Sequence, residues 1–229
     1  MKNAVDSESL VFTATPDGSY TFHHPELQEN YHSVNGARTE SQYVYIDQGL
    51  SLVKKDTIHV FEMGFGTGLN AFLAWQHATS NHKTLCYTAI EKYPLASDLL
   101  PIPDFIKTNQ SGIDAWIKIQ TSAWNKLLTI DNHFNLEKIH GDLTACSHNG
   151  LYDIIFFDAF APSAQPELWS ENIFRTLFNA LNTDGILVTY SSAGLTKRSL
   201  VSAGFKIERL KGPPGKKHMI RAFKLGNII

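Results

Sequence analysis

Between an apolar run at residues 58–63 and a run of helical period stands Glu62-Met-Gly64-Phe65-Gly66-Thr-Gly68-Leu-Asn70, which constrains the fold more than any other stretch of the chain. Ile58, Val60, Phe61 and Met63 suit a buried strand, while Leu69, Phe72, Leu73 and Trp75 recur at helical spacing. Strand, glycine turn and helix together open a βαβ unit, in which glycines let the backbone turn sharply and let a ligand approach the main chain. The third glycine follows the second by two residues, not by the three of the dinucleotide fingerprint, and a carboxylate precedes the first. Glu62 would repel a pyrophosphate, so the sign of its charge disfavours a nicotinamide dinucleotide and favours a ligand that carries an ammonium.

The rest of the chain continues the alternation. Residues 85–90 predict a strand ending in Glu91. Residues 101–128 read as mostly helical, with Ile113, Trp116, Ile117, Ile119 and Gln120 on the buried face. A strand over 134–139 ends at Gly141-Asp142, and the continuous apolar run 152–157 predicts a central parallel strand ending at Asp158. A helix over 170–181 starts at Ser170-Glu171 and stops at Asp184-Gly185. A strand over 185–190 and a helix over 197–203 closed by Gly204 come next. Strands at 205–210 and 218–224 then form an antiparallel pair around a basic loop. Upstream, residues 13–22 flank Asp17-Gly18 as a hairpin. With the β-prone Tyr43-Val44-Tyr45-Ile46, they predict a small β-rich N-terminal extension over 1–50. The reading is one α/β domain, an open sheet over 51–229 plus that extension; 229 residues are enough for one well-buried domain.

The formal net charge of −2 hides a split. Residues 191–229 carry nine Lys or Arg and only Glu208 as an acid, net +8, so the total cannot exclude a polyanionic partner. Cys86 and Cys146 have no paired spacing, which suggests neither a disulfide framework nor a zinc site. No stretch reaches the length of a signal peptide or a membrane span, and the expectation is a soluble, cytoplasmic protein without metal.

Acids at strand ends are placed for ligand contact, because open α/β sheets bind at the carboxyl ends of their strands. Glu91 can accept from both hydroxyls of a ribose. Asp142 would lie near an adenine ring, whose exocyclic amine is a donor. Asp158 heads Asp158-Ala-Phe-Ala-Pro162 and should point into the crevice, with Pro162 fixing the turn. The GxGxG spacing resembles that of S-adenosylmethionine (SAM) methyltransferases, and Glu62, Gly64, Phe65, Gly66, Gly68, Asn70, Glu91 and Asp142 form the expected cofactor set.

Several motifs together resemble the methyltransferase domain of the MnmC family. They are residues 62–70, Glu91-Lys92, Gly141-Asp142, Asp158 to Pro162 with Trp169 and Phe174, and Ser191-Ser-Ala-Gly194. Further upstream stand Asp17-Gly18-Ser19, Glu29-Asn-Tyr31-His32-Ser33 and Gly36-Ala37. The resemblance runs from about Thr13 to Lys224, and departs from the family's Lys-Arg-Glu-Met in having Lys216-Lys217-His218-Met219. It implies a Rossmann-like SAM-dependent sheet and conversion of 5-aminomethyl(-2-thio)uridine to 5-methylaminomethyl(-2-thio)uridine at the tRNA wobble position. Asp158 would be the catalytic carboxylate, Tyr31, His32 and Ser33 would shape the base pocket, and Lys216 and Lys217 would meet phosphate. The flavin-dependent oxidase half of the bifunctional enzymes has no counterpart in these residues. The resemblance therefore implies a stand-alone form whose aminomethyl substrate comes from separate enzymes. The rival reading is a SAM enzyme for a small amine metabolite.

Overall fold

The structure is a computed structural model and describes residues 10–143 and 151–226; Cys146 and the first nine residues lie outside them. Three short strands, β1 (Val11–Ala14), β2 (Tyr20–His24) and β3 (Glu29–Asn30), form an antiparallel sheet, with the expected hairpin turning around Asp17 and Gly18. Helix α1 (Ala37–Ser41) and a wide helical turn (Gln42–Asp47) follow. Tyr43 to Ile46, expected in a β-rich extension, is therefore helical. Val44, Tyr45 and Ile46 are buried in succession, a pattern a half-exposed strand cannot give, and packing overrides their β-propensity.

The second sheet has eight strands: β4 (Thr57–Met63), β5 (Thr84–Glu91), β6 (Leu127–Asp131), β7 (Phe134–His140), β8 (Tyr152–Phe157), β9 (Leu181–Thr189), β10 (Lys206–Lys211) and β11 (His218–Phe223). Their order is β10-β11-β9-β8-β4-β5-β7-β6. The five strands from β9 to β7 are parallel, while β6, β10 and β11 pair antiparallel. From β4 the chain winds outward to β5 and β7, then returns to β8 on β4's other side. That reversal opens a crevice at the carboxyl ends of β4 and β8.

Successive side chains of the central strands feed opposite faces. Val60, Ile154 and Phe156 pack with α2 (Leu69–Ser80), α3 (Gln110–Thr121) and the helical segment around Tyr45. Phe61, Ile155 and Phe157 pack with α4 (Glu171–Ala180) and α5 (Gly194–Ser202). Trp169 and Phe174 belong to this second core and close on Phe157 at ring distances of 4.8 and 4.9 Å. Both faces are apolar, which explains the unbroken hydrophobic run of β8.

Three boundaries differ from the sequence expectation. Leu127 and Leu128 lie in β6, the edge hairpin partner of β7, not in the helix before it. Ile117 is 45% exposed, turned away from the face that buries Trp116 and Ile119. Helix α4 ends at Ala180, and Leu181 starts β9 directly; Asp184, at φ 63°, and Gly185 sit where the β8–β9 register is interrupted. No helix among the described residues is long and apolar enough to cross a membrane, and no cluster of three or more His, Cys, Asp or Glu among them is arranged to hold a metal.

Candidate active site

The glycine turn is built against the β8 end of the crevice. Gly64 has φ 88°, and a Cβ there would fall 2.7 Å from the Asp158 carbonyl oxygen. Gly68, at φ 75°, caps α2, where a Cβ would fall 2.7 Å from Gln120 Nε2 and 2.9 Å from the Phe65 ring. Both positions need a left-handed backbone and have no room for a side chain. With Gly68 so placed, Asn70 sits in the first turn of α2 and reaches Asp158.

Asp158 is the best-supported acid of the site. Tyr45 Oη donates to its Oδ1 at 2.7 Å, and Asn70 Nδ2 donates to its Oδ2 at 2.7 Å. Enclosure raises its pKa, while these two donors and the positive charge of Lys216 pull it back. Glu62 differs: it is 0% exposed, and neither carboxylate oxygen has a hydrogen-bond partner. Burial lifts its pKa well above the carboxylate range, Asp158 and Glu91 add to the rise, and Asn70 and Tyr87 offset only part. Glu62 thus lies beneath the cavity wall, not on it.

Glu91 closes β5 and braces two backbone segments. Gly66 N–H donates to Oε2 at 3.1 Å and Tyr93 N–H to Oε1 at 2.8 Å. Burial raises its pKa, against the pull of these amides. Glu91 itself lies on the cavity lining. Beyond it, Lys92 Nζ and Asp142 Oδ2 pair at 2.8 Å, both on the cavity lining.

The cavity measures about 820 Å³, within the range of small-molecule sites. Of the residues singled out in the sequence, Tyr31, His32, Ser33, Gly64, Gly66, Glu91, Asp142, Asp158 and Lys216 line it. Glu62, Phe65, Gly68, Asn70 and Lys217 do not. Phe65 turns to the far side of the glycine loop, edge-on to Trp124 at 5.6 Å. Lys217 is exposed.

The N-terminal extension forms the roof. His32 Nε2 and Thr67 Oγ1 are 2.8 Å apart, tying the extension to the glycine turn. Burial holds the His32 pKa down at about 4, with Lys216 pushing the same way against Glu40, so its imidazole is neutral. The Tyr31 ring meets Phe160 at 5.0 Å and stands over Gly66. Lys216, expected on the surface, turns inward: its Nζ lies 2.6 Å from Glu40 Oε2 and 3.8 Å from the centroid of the Tyr190 ring.

Sequence reasoning does not reach Tyr45, Glu40, Tyr190 or Phe160 as site residues. Phe160 carries a visible cue, its place inside the Asp-Ala-Phe-Ala-Pro turn. Tyr190 follows β9, and its hydroxyl donates to the Ala159 carbonyl at 2.9 Å; ending a parallel strand beside Asp158 is the signal available for it. Tyr45 and Glu40 come from the segment whose β-prone composition conceals its helical fold.

Comparison with known proteins places this geometry. Residues 105–225, more than half of the chain, match the family described as S-adenosyl-L-methionine-dependent methyltransferase. The chain is 29% identical over 217 residues to the tRNA 5-methylaminomethyl-2-thiouridine biosynthesis bifunctional protein MnmC of Aeromonas hydrophila, covering 85% of this chain and 32% of that protein. It is 32% identical over 180 residues to the protein of that name from Methylobacillus flagellatus, covering 73% of this chain and 27% of the relative. The chain thus spans about a third of the length of the curated relatives it matches. Among solved structures, MNMC2 from Aquifex aeolicus superposes with a TM-score of 0.76 at 23% identity, covering 96% of this chain and 72% of that one. Spermidine synthase from Thermotoga maritima gives 0.54 at 14% identity, covering 94% and 72%. These two likenesses share the fold. On the extent of the family match, the chain belongs to the S-adenosyl-L-methionine-dependent methyltransferases.

Proposed function

We propose that this chain methylates the primary amine of 5-aminomethyluridine, with or without 2-thiolation, at the wobble position of tRNA. The observation that carries the reading is Asp158, a carboxylate at the switch point of the sheet with both oxygens anchored and its outer face on the cavity. The MnmC relatives, named for tRNA 5-methylaminomethyl-2-thiouridine biosynthesis, supply the substrate class. The aminomethyl group is installed on the nucleoside before this step.

The residues present fit SAM. The side-chain-free turn at Gly64 and Gly66 leaves room for close approach, and Glu91 stands on the cavity lining as a hydrogen-bond acceptor. Glu62 and Asn70, off the cavity lining, offer the cofactor no direct contact in this structure. Asp142 stands at the end of the cavity where an exocyclic amine would be read. When bound, SAM supplies an electrophilic methyl whose departure leaves an electron pair on sulfur.

The chain's own residues must then provide an amine with a free lone pair. An alkylamine of pKa up to about 10 is mostly protonated at neutral pH, and exposing the neutral form costs up to about 4 kcal/mol. Asp158 can bind the ammonium, take its proton and aim the lone pair. The nitrogen–carbon bond then forms as the methyl–sulfur bond breaks, the product leaves as a secondary ammonium, and the proton that Asp158 took before attack passes to solvent. Tyr31, Phe160 and Ser33 wall the space left for a planar base. Lys211 and Lys217 are exposed at either end of the loop whose Gly215 and Lys216 line the cavity, a placement suited to phosphate.

Incubation with SAM and tRNA carrying 5-aminomethyluridine, followed by mass analysis of the nucleosides, tests the reading. The expected product gains one methyl at that nucleoside. No gain there, with methyl transfer to free small amines instead, would establish the rival substrate class.

A further inference from the structure

The sequence marks Lys216 as a surface cation for phosphate, yet the fold turns it to another use. It enters the cavity from the β10–β11 loop, and three contacts hold that loop on the extension. Lys216 pairs with Glu40 of α1, Tyr43 Oη donates to the Lys211 carbonyl at 3.0 Å, and Asn35 packs against Gly215. Tyr190 lies under the ammonium, and its hydroxyl is tied to Ala159, the neighbour of Asp158. The lysine is thus fixed in position on the wall that carries the reacting carboxylate.

We propose that Lys216, clamped by Glu40 over Tyr190, is a positioning charge for the methyl transfer, discouraging protonation of both the incoming amine and Asp158. This rests on the amine substrate proposed above. A fixed cation close to an amine favours its neutral, nucleophilic form, just as it favours the ionised form of a nearby acid. Around Lys216 stand His32, held neutral by burial, and Tyr190, whose pKa burial raises well above 10. Around Asp158 stand Tyr45 and Glu62, whose pKa values burial raises well above their ordinary ones. Glu40, Lys216 and Asp158 are charged groups on this wall, with Glu29, Glu91, Lys92 and Asp142 also on the cavity lining, and Lys216 is the cation that acts on Asp158.

The two halves of the salt bridge should act in opposite directions. In Lys216→Met the acidic limb of the pH dependence of kcat/KM moves up by about one pH unit, so that activity at neutral pH falls about tenfold. In Glu40→Gln the cation loses its counter-charge and the same limb moves down. Lys216→Arg keeps the limb of the parent enzyme. A clamp with only a structural role would make Lys216→Met and Glu40→Gln alike, since either breaks the same contact. The assay is methyl transfer to tRNA carrying 5-aminomethyluridine across pH, with thermal melting and SAM affinity measured on each variant. An unmoved limb in a folded Lys216→Met enzyme, or displacement of both variants in one direction, overturns the role of Lys216. Should Lys216→Met not fold, an unmoved or raised limb in Glu40→Gln overturns it. Absence of turnover by the parent enzyme on this tRNA would refute the amine reading itself, whereas an active parent with an unmoved limb refutes only the role of Lys216.

Discussion

Asp158 and Glu62 stand at or near the carboxyl ends of two neighbouring parallel strands. The Asp158 N–H donates to the Met63 carbonyl at 3.0 Å, yet the two carboxyls live in different surroundings. Asp158 is half-buried and has a donor on each oxygen; Glu62 is fully enclosed and has none. Burial pushes both upward in pKa; at Asp158 two hydrogen bonds and a nearby ammonium stand against it, while at Glu62 the polar groups of Asn70 and Tyr87 offset only part of a larger rise. The difference shows why two acids flanking the same glycine turn cannot be assigned alike from sequence. A carboxylate that exchanges a proton with substrate needs stabilising donors and access to the cavity. One that lacks both holds its proton and acts as a buried polar floor.

The comparison breaks most visibly by removing the proton acceptor. Asp158→Asn should lower kcat by about 10³-fold with SAM affinity retained, whereas Glu62→Gln, at an enclosed carboxyl that burial disfavours ionising, should cost less than about fivefold. Equal losses in a single-turnover assay would merge the two acids into one role. His32 sharpens the contrast with a third buried titratable group. Its folded pKa of about 4 lies below the ordinary 6.5, so the folded state resists a proton that the unfolded chain accepts. Stability should therefore be insensitive to this group above pH 6.5 and fall as pH drops toward 4, by up to about 3 kcal/mol. Urea unfolding of His32→Asn across that window should show a flatter dependence than the parent.

Tyr45→Phe removes one of the two donors to Asp158 and leaves its packing. A hydrogen bond to a charged group contributes about 1.5–3 kcal/mol, so a 10- to 100-fold loss in kcat/KM is expected, with the acidic limb displaced upward. The smallest effect on chemistry belongs to the outward lysines. Lys211→Glu with Lys217→Glu should weaken tRNA binding about tenfold and leave the maximal rate intact. The slope of log affinity against log salt should fall by about 0.9 for each phosphate that is no longer neutralised. An unchanged salt slope would remove both from the RNA surface.

Local patterns carry much of this site. The apolar run ending at Asp158, the glycine turn after β4 and Glu91 at the end of β5 are legible because each depends on residues adjacent in the chain. Tyr45 reaches Asp158 across a separation of 113 residues, and no period or spacing records such a contact. Its segment also reads as β-prone, and only burial against the sheet makes it helical. Lys216 illustrates the same limit in charge. Nine basic residues near the end of the chain suggest a surface patch, but the partner that turns one of them inward, Glu40, lies at the other end of the sequence. Glu62 is legible as a motif residue and not as a buried one, because exposure at a strand end is set by what covers it.

Carboxyl carbon NMR on protein labelled at aspartate and glutamate side chains reads the two protonation states directly, with Asp158→Asn and Glu62→Gln assigning the signals. The Glu62 carboxyl should hold its proton to higher pH than Asp158 does, because burial at Glu62 is less offset by donors and charge. Coincident midpoints, or a higher one at Asp158, would contradict the division of roles on which the proposed chemistry depends.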